Sequence, residues 1–211
     1  MRRALLALAV LAACAPAPDP DADWLAVGDS ILAWHRSTGG DIPAIAARAA
    51  GATVTNQSVV GARMLAGIPA QAVPGDWDWV ILDGGGNDLL PVCGTAQAGA
   101  TLDAILTGAG QGATADLARR MQAGGARIAI LGYYPVSVDG GPFAPCQAEL
   151  AELETRQAAF AAATPGVIFV DAGDVIDAGN LAAYAADRIH PSPAGAQAIG
   201  TYLAERISAE N

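Results

Sequence analysis

Short apolar runs alternate along this chain with longer stretches of helical character. Trp24 to Val27 is continuously apolar, ends in a glycine turn, and reads as a strand. Thr53 to Val59 is β-branched and reads as a second. Trp77 to Leu82 is a third, stopped by Gly84-Gly85-Gly86. Arg127 to Tyr133 is a fourth, closed before Pro135, and Gly166 to Asp171 is a fifth. Helices are predicted between them. Ile42 to Ala50 is Ala-rich and follows Asp41, a good N-cap. Ala113 to Ala123 stops at Gly124-Gly125. Gln147 to Ala163 carries Leu150, Leu153 and Phe160 at near-helical spacing. Ser192 to Ile207 is the last helix, with Ser192 as N-cap and Pro193 in its first turn.

Apolar strands without polar alternation suit a parallel sheet covered on both faces. Strand and helix alternate throughout, so the expected fold class is α/β, a three-layer α/β/α sandwich with about five parallel strands. Ligands of such folds gather beyond the carboxyl ends of the strands. Gly28-Asp29-Ser30 follows the first strand, Asn56 to Gly61 the second, and Gly84 to Asp88 the third. All three turns should therefore share one edge. The Gly/Ala-rich segment from Gly94 to Gly112 is expected to be a loop lining the pocket. No internal repeat or second domain is visible.

At 211 residues the chain can bury a full core as one domain. It is 53% apolar and 15% charged, a globular composition. The net charge is −10 and there is no lysine. Scattered arginines without lysine do not build the clustered basic surface that nucleic acid needs. No obligate protein partner is evident.

The first residues look like a targeting signal. Arg2 and Arg3 precede the apolar run Ala4 to Ala13, which is too short for the about 20 residues that span a bilayer. The run ends Leu11-Ala12-Ala13-Cys14, which resembles a bacterial lipobox, so residues 1–13 are read as a signal peptide and Cys14 as the lipidated first residue. The alternative is an ordinary signal peptide, but cleavage after Ala17 would set Pro18 beside the scissile bond. Ala15 rather than aspartate after Cys14 resembles outer-membrane sorting in Gram-negative bacteria. This implies an exported protein held to the envelope membrane by its lipid and facing the periplasm. Residues 14–22 are read as the lipidated cysteine and a Pro-rich tether, and 23–211 as the domain. Cys93 and Cys146 then remain as an even pair in an oxidising compartment. A bridge between them would close about 53 residues and contribute roughly 4 kcal/mol; the alternative is two buried thiols.

The candidate chemistry sits at opposite ends of the chain. Ser30 lies on a turn from strand to helix, where its hydroxyl can project. Asp187 and His190 are three residues apart before the last helix. A serine hydroxyl needs a base within reach, and that base needs an orienting carboxylate. A tetrahedral oxyanion needs fixed donors. The Ser30 amide, the Gly61 amide and the Asn87 side chain are candidates.

In that order Gly28-Asp29-Ser30, Asn56 to Gly61, Gly85-Gly86-Asn87-Asp88 and Asp187-Arg188-Ile189-His190 resemble the blocks of the SGNH/GDSL hydrolase family. The resemblance implies a flavodoxin-like sheet and hydrolysis through an acyl-enzyme without metal or cofactor. It implies Ser30 as nucleophile, His190 as base, Asp187 as orienter, and Ser30, Gly61 and Asn87 as the oxyanion hole. The expected substrate is a small-molecule, glycan or lipid ester, a small acyl or acetyl ester before a lysophospholipid or thioester. A non-catalytic envelope binding protein is the reading outside enzymology.

Several neighbours are read as structural. Where the family often has a small residue and glycine after the serine, this chain has Ile31-Leu32-Ala33-Trp34-His35. Trp34 is expected in the core, His35 at the surface or as a cap, and Asp29 and Asp88 as braces of their own turns. Tyr133-Tyr134 either borders the pocket or packs. Asp171 and Asp174 have no third ligand nearby and do not make a metal site.

Overall fold

The computed structural model describes residues 17–210; the leader and Cys14 lie outside the described residues. The chain runs through β1 (Trp24–Val27), α1 (Ser30–Ala33), α2 (Ile42–Ala50), β2 (Val54–Asn56), α3 (Ile68–Gln71), β3 (Trp79–Leu82), α4 (Gly86–Leu89) and α5 (Ala98–Ile105). It continues through α6 (Ala113–Gln122), β4 (Arg127–Leu131), α7 (Gln147–Ala163), β5 (Val167–Val170) and α8 (Pro193–Ser208). The five strands form one parallel sheet in the order β2-β1-β3-β4-β5. This is the three-layer α/β/α sandwich expected from the apolar pattern.

Alternation along each strand splits the core in two. Leu25, Val27, Val80, Leu82, Ile128 and Ile130 point to one face, where Ile68, Leu89, Ile105, Leu117 and Leu153 of α3 to α7 cover them. Trp24, Ala26, Trp79, Ile81, Ala129 and Leu131 point to the other. There Ile31 of α1, Ile42 and Ile45 of α2, and Ile199, Leu203 and Ile207 of α8 cover them. The first and last long helices therefore share one core. β1 and β3, central to the sheet, are buried at every position.

The element boundaries follow local chemistry. Asp41 caps α2 by accepting from the Ala44 amide at 3.2 Å, and Ser192 caps α8 by accepting from Gly195 at 3.1 Å. Four strands are shorter than the segments predicted for them, β5 by one residue at each end. β2 stops at Asn56 because that side chain leaves the ladder: its amide donates to Leu32 O at 2.7 Å and its oxygen accepts from the Ser58 amide at 3.0 Å. β3 begins only at Trp79, and β4 stops at Leu131, before Tyr133 turns to the site.

One expectation is corrected. Gly94 to Gly112 is not a pocket loop: Ala98, Leu102 and Ile105 recur at helical spacing, are buried, and form α5 against the core. Before β1, Asp19 donates its amide to Thr55 Oγ1 at 2.9 Å and Ala22 is buried, so these residues lie against the domain. Cys93 and Cys146 form a disulfide, tying the exit of α4 to the start of α7.

Candidate active site

The serine side is built into the sheet edge. β1 ends at Val27, and its next residue, Gly28, passes directly beside the carboxyl that follows β3. A Cβ on Gly28 would lie 1.7 Å from Asp83 Oδ1, so only glycine fits. Asp83 Oδ1 accepts from the Asp29 amide at 2.7 Å, while its Oδ2 is buried without a partner among the described residues. Burial, then the Asp29 charge, pushes the Asp83 carboxyl well above the ordinary range. Asp29 is also raised by burial, against hydrogen bonds from the Ile31 amide and the Tyr133 phenol. Both carboxyls are raised, Asp83 the more strongly, because the hydrogen bonds that Asp29 accepts from the Ile31 amide and the Tyr133 phenol oppose its burial.

Asp29 is the N-cap of α1: its Oδ1 accepts from the Ile31 amide at 2.9 Å. Ser30 occupies the first helical position, where its amide has no intrahelical acceptor. Asp29 Oδ2 accepts from the Tyr133 hydroxyl at 2.7 Å and from Asn87 Nδ2 at 3.3 Å. The other Asn87 hydrogen goes to Ala62 O at 3.0 Å. Asp88 does not brace the Asn87 turn as expected. Its oxygens accept from the amides of Met64 and Leu65 at 2.7 and 3.2 Å, holding the loop after Gly61 instead.

The histidine side is a turn. Its base is closed by the Ala185 amide donating to His190 O at 2.7 Å and Ser192 to Ala183 O at 2.8 Å. Arg188 adopts φ +59°, a left-handed conformation that costs a side-chain-bearing residue about 1 kcal/mol. Asp187 Oδ1 accepts from the amides of Ile189 and His190, both at 3.0 Å. Its Oδ2 meets His190 Nδ1 at 2.6 Å. Nδ1 is therefore the donor, and Nε2 is left as the basic nitrogen. Burial raises the Asp187 carboxyl, but the hydrogen bonds from the His190 ring and the two amides outweigh it, and its pKa falls below the ordinary value.

Three consecutive residues of this turn are gripped by aromatic side chains. Tyr134 donates its hydroxyl to Ile189 O at 2.6 Å. Trp34 stacks flat on the His190 ring, with centroids 3.7 Å apart and planes 5° from parallel. His35 Nε2 lies 3.0 Å from Pro191 O. Trp34 is thus half-buried against the imidazole rather than in the core, and His35 is a clamp rather than a free surface group. Sequence reasoning missed these contacts, together with Asp83 and the Tyr133 bridge. The one available signal was position: Asp83, Tyr133 and Tyr134 all follow carboxyl ends of strands.

A cavity lies between the two sides. Ser30, Asp29, Gly86 and Asn87 form its polar edge; Ile31, Tyr133, Tyr134, Val136, Phe143, Leu150 and Tyr184 form apolar walls; Arg188 and Ile189 close the histidine side. The segment carrying Val136 and Phe143 is pinned there by an Asp139–Arg188 ion pair at 3.1 Å. Ser30 and the Asp187–His190 turn thus border one cavity, but among the described residues Ser30 Oγ makes no hydrogen bond with His190. Gly61, at φ +75°, is exposed on the rim, next to the Ala62 carbonyl that holds Asn87. It does not line the cavity. Asp171 caps Gly173 at 2.7 Å and Asp174 accepts from Tyr202 at 2.6 Å, so both carboxylates are engaged.

The architecture has solved relatives. Est24, a carbohydrate acetylesterase from Sinorhizobium meliloti, superposes with a TM-score of 0.65 at 18% identity, covering 89% of this chain and 99% of the other. A proposed SGNH hydrolase from Slackia heliotrinireducens gives 0.61 at 23% identity, over 87% and 97%. A proposed arylesterase from Agrobacterium tumefaciens gives 0.64 at 19%, over 88% and 97%. At these identities the likeness concerns the fold. Comparison with curated protein sequences finds no match. The family model for GDSL-like lipase/acylhydrolase matches residues 26–198, from β1 into α8, and the chain belongs to this hydrolase family.

Proposed function

We propose that this protein is a serine esterase that hydrolyses a carboxylic ester through an acyl-enzyme. The observation that carries the reading is the 2.6 Å Asp187–His190 pair beside the cavity on which Ser30 opens. His190 Nε2 takes the Ser30 proton as Oγ attacks the ester carbonyl carbon. The carbonyl oxygen becomes an oxyanion, met by the Ser30 amide and Asn87 Nδ2 from the cavity and by the Gly61 amide from its rim. Collapse breaks the bond to the leaving alcohol, which receives the proton from His190. Water then attacks the acyl-Ser30 ester with His190 again as base, releasing the acid and restoring the hydroxyl.

The mostly apolar cavity beside Ser30 suits a small acyl group, and an acetyl ester is the first substrate to try. Lysophospholipids and thioesters are the competing substrates for the same chemistry. Ser30→Ala should remove nearly all turnover of a p-nitrophenyl ester without changing the fold, and a fluorophosphonate should label Ser30 covalently. Turnover retained by the variant refutes the nucleophile; a folded protein that neither turns over esters nor labels is a binding protein.

We also propose that Cys14 is lipidated and anchors the protein in the cell envelope, at the outer membrane facing the periplasm. The support is the apolar run ending at Cys14. Cys14→Ser should abolish incorporation of an alkyne-tagged fatty acid; equal labelling of the variant rules the anchor out.

A further inference from the structure

Two donors share one oxygen behind the serine, one closely and one loosely. Asp29 Oδ2 accepts from the Tyr133 hydroxyl at 2.7 Å and from Asn87 Nδ2 at 3.3 Å. A side-chain amide has only two hydrogens to give, and Ala62 O holds the other at 3.0 Å. For Asn87 to serve an oxyanion, one of these bonds must open. The bond to Asp29 is the releasable one, since 3.3 Å is long for N–H···O. The phenol takes the same oxygen by a shorter bond of 2.7 Å. Tyr133 in turn accepts from the Gly86 amide at 2.9 Å. Amide, phenol and carboxylate form a chain in which each bond polarises the next. Burial pushes the Tyr133 phenol well above its ordinary pKa, so the hydroxyl stays a donor.

We propose that Tyr133 is a positioning residue whose hydroxyl takes the stronger bond to Asp29 Oδ2, weakens that oxygen's hold on Asn87 and so leaves the Asn87 amide free to turn to the substrate oxyanion. The inference rests on the oxyanion role of Asn87 proposed above. Tyr133 acts through another side chain and contributes no atom to bond making. Without its hydroxyl, Asn87 closes on Asp29, and the Gly86 amide loses its acceptor.

The test is Tyr133→Phe, which keeps the ring in the cavity wall. With a p-nitrophenyl ester, kcat should fall on the order of 10- to 100-fold while KM changes less than about threefold. A double-mutant cycle separates positioning from mere structure: Tyr133→Phe combined with Asn87→Ala should be no slower than Asn87→Ala alone. Losses that multiply overturn the proposal. So does wild-type kcat in Tyr133→Phe when Asn87→Ala is slow, an outcome that leaves the oxyanion reading standing. Wild-type kcat in Asn87→Ala instead removes the oxyanion reading, and this proposal with it. If Tyr133→Phe fails to melt cooperatively, 3-fluorotyrosine at position 133 keeps the hydroxyl and strengthens it as a donor; kcat should then match or exceed wild type, and a fall overturns the proposal.

Discussion

The two halves of the candidate site are held by different physics. Ser30 stands on the rigid edge of a buried sheet, behind a glycine that admits no side chain and a pair of buried carboxyls. Its position is a by-product of the core. His190 stands on a partly exposed turn with a strained residue inside it, and side-chain contacts aim it: Asp187 on one ring nitrogen, Trp34 on the ring face, Tyr134 and His35 on the flanking carbonyls. The serine half and the core share one stability. The histidine half can be disturbed while the fold survives.

That contrast can be broken at three places. The largest effect is expected at Asp187→Asn, which leaves the turn an acceptor but spoils the ring tautomer. The kcat should drop on the order of 1,000- to 10,000-fold, with a melting temperature near that of wild type. If the variant instead melts several degrees lower, the turn is part of the core and the contrast fails. Next is Gly28→Ala on the serine half. The added methyl overlaps Asp83 in a packed interior, so roughly 2 to 3 kcal/mol of stability should be lost, read as a fall in melting temperature of about 5 to 10 °C. An unshifted melt would mean that the edge is pliable. The smallest effect is expected at Trp34→Leu. Losing a stacked ring pair should lower kcat about 3- to 10-fold and leave the melt nearly unmoved. A loss mainly in KM would assign Trp34 to substrate binding rather than to holding the imidazole.

The same division governs what could be read in advance. β1, α2 and α7 were legible to the residue, because local signals set them: an uninterrupted apolar run, an aspartate cap, a leucine spacing. The pairing of Cys93 with Cys146 was legible from their being the even pair left once Cys14 is set aside. The approach of Ser30, Asn87 and the Asp187–His190 turn to one cavity was legible from their places after successive strands and before the last helix. Contacts made by side chains far apart in sequence were not. Nothing near Trp34 in the chain announces a partner at position 190, and nothing around Tyr133 announces Asp29. Helix α5 was hidden by its alanines and glycines, whose pattern became plain only once Leu102 and Ile105 had a core to face.

The packing of α8 against α2 has a consequence in time. The turn bearing Asp187 and His190 leads into α8, whose Ile199, Leu203 and Ile207 settle beside Ile42 and Ile45, laid down far earlier in synthesis. The alcohol is therefore translated early and its base late. On the proposed mechanism, a nascent chain stays chemically silent until its closing helix has emerged and docked, and a prematurely terminated product carries no hydrolytic chemistry.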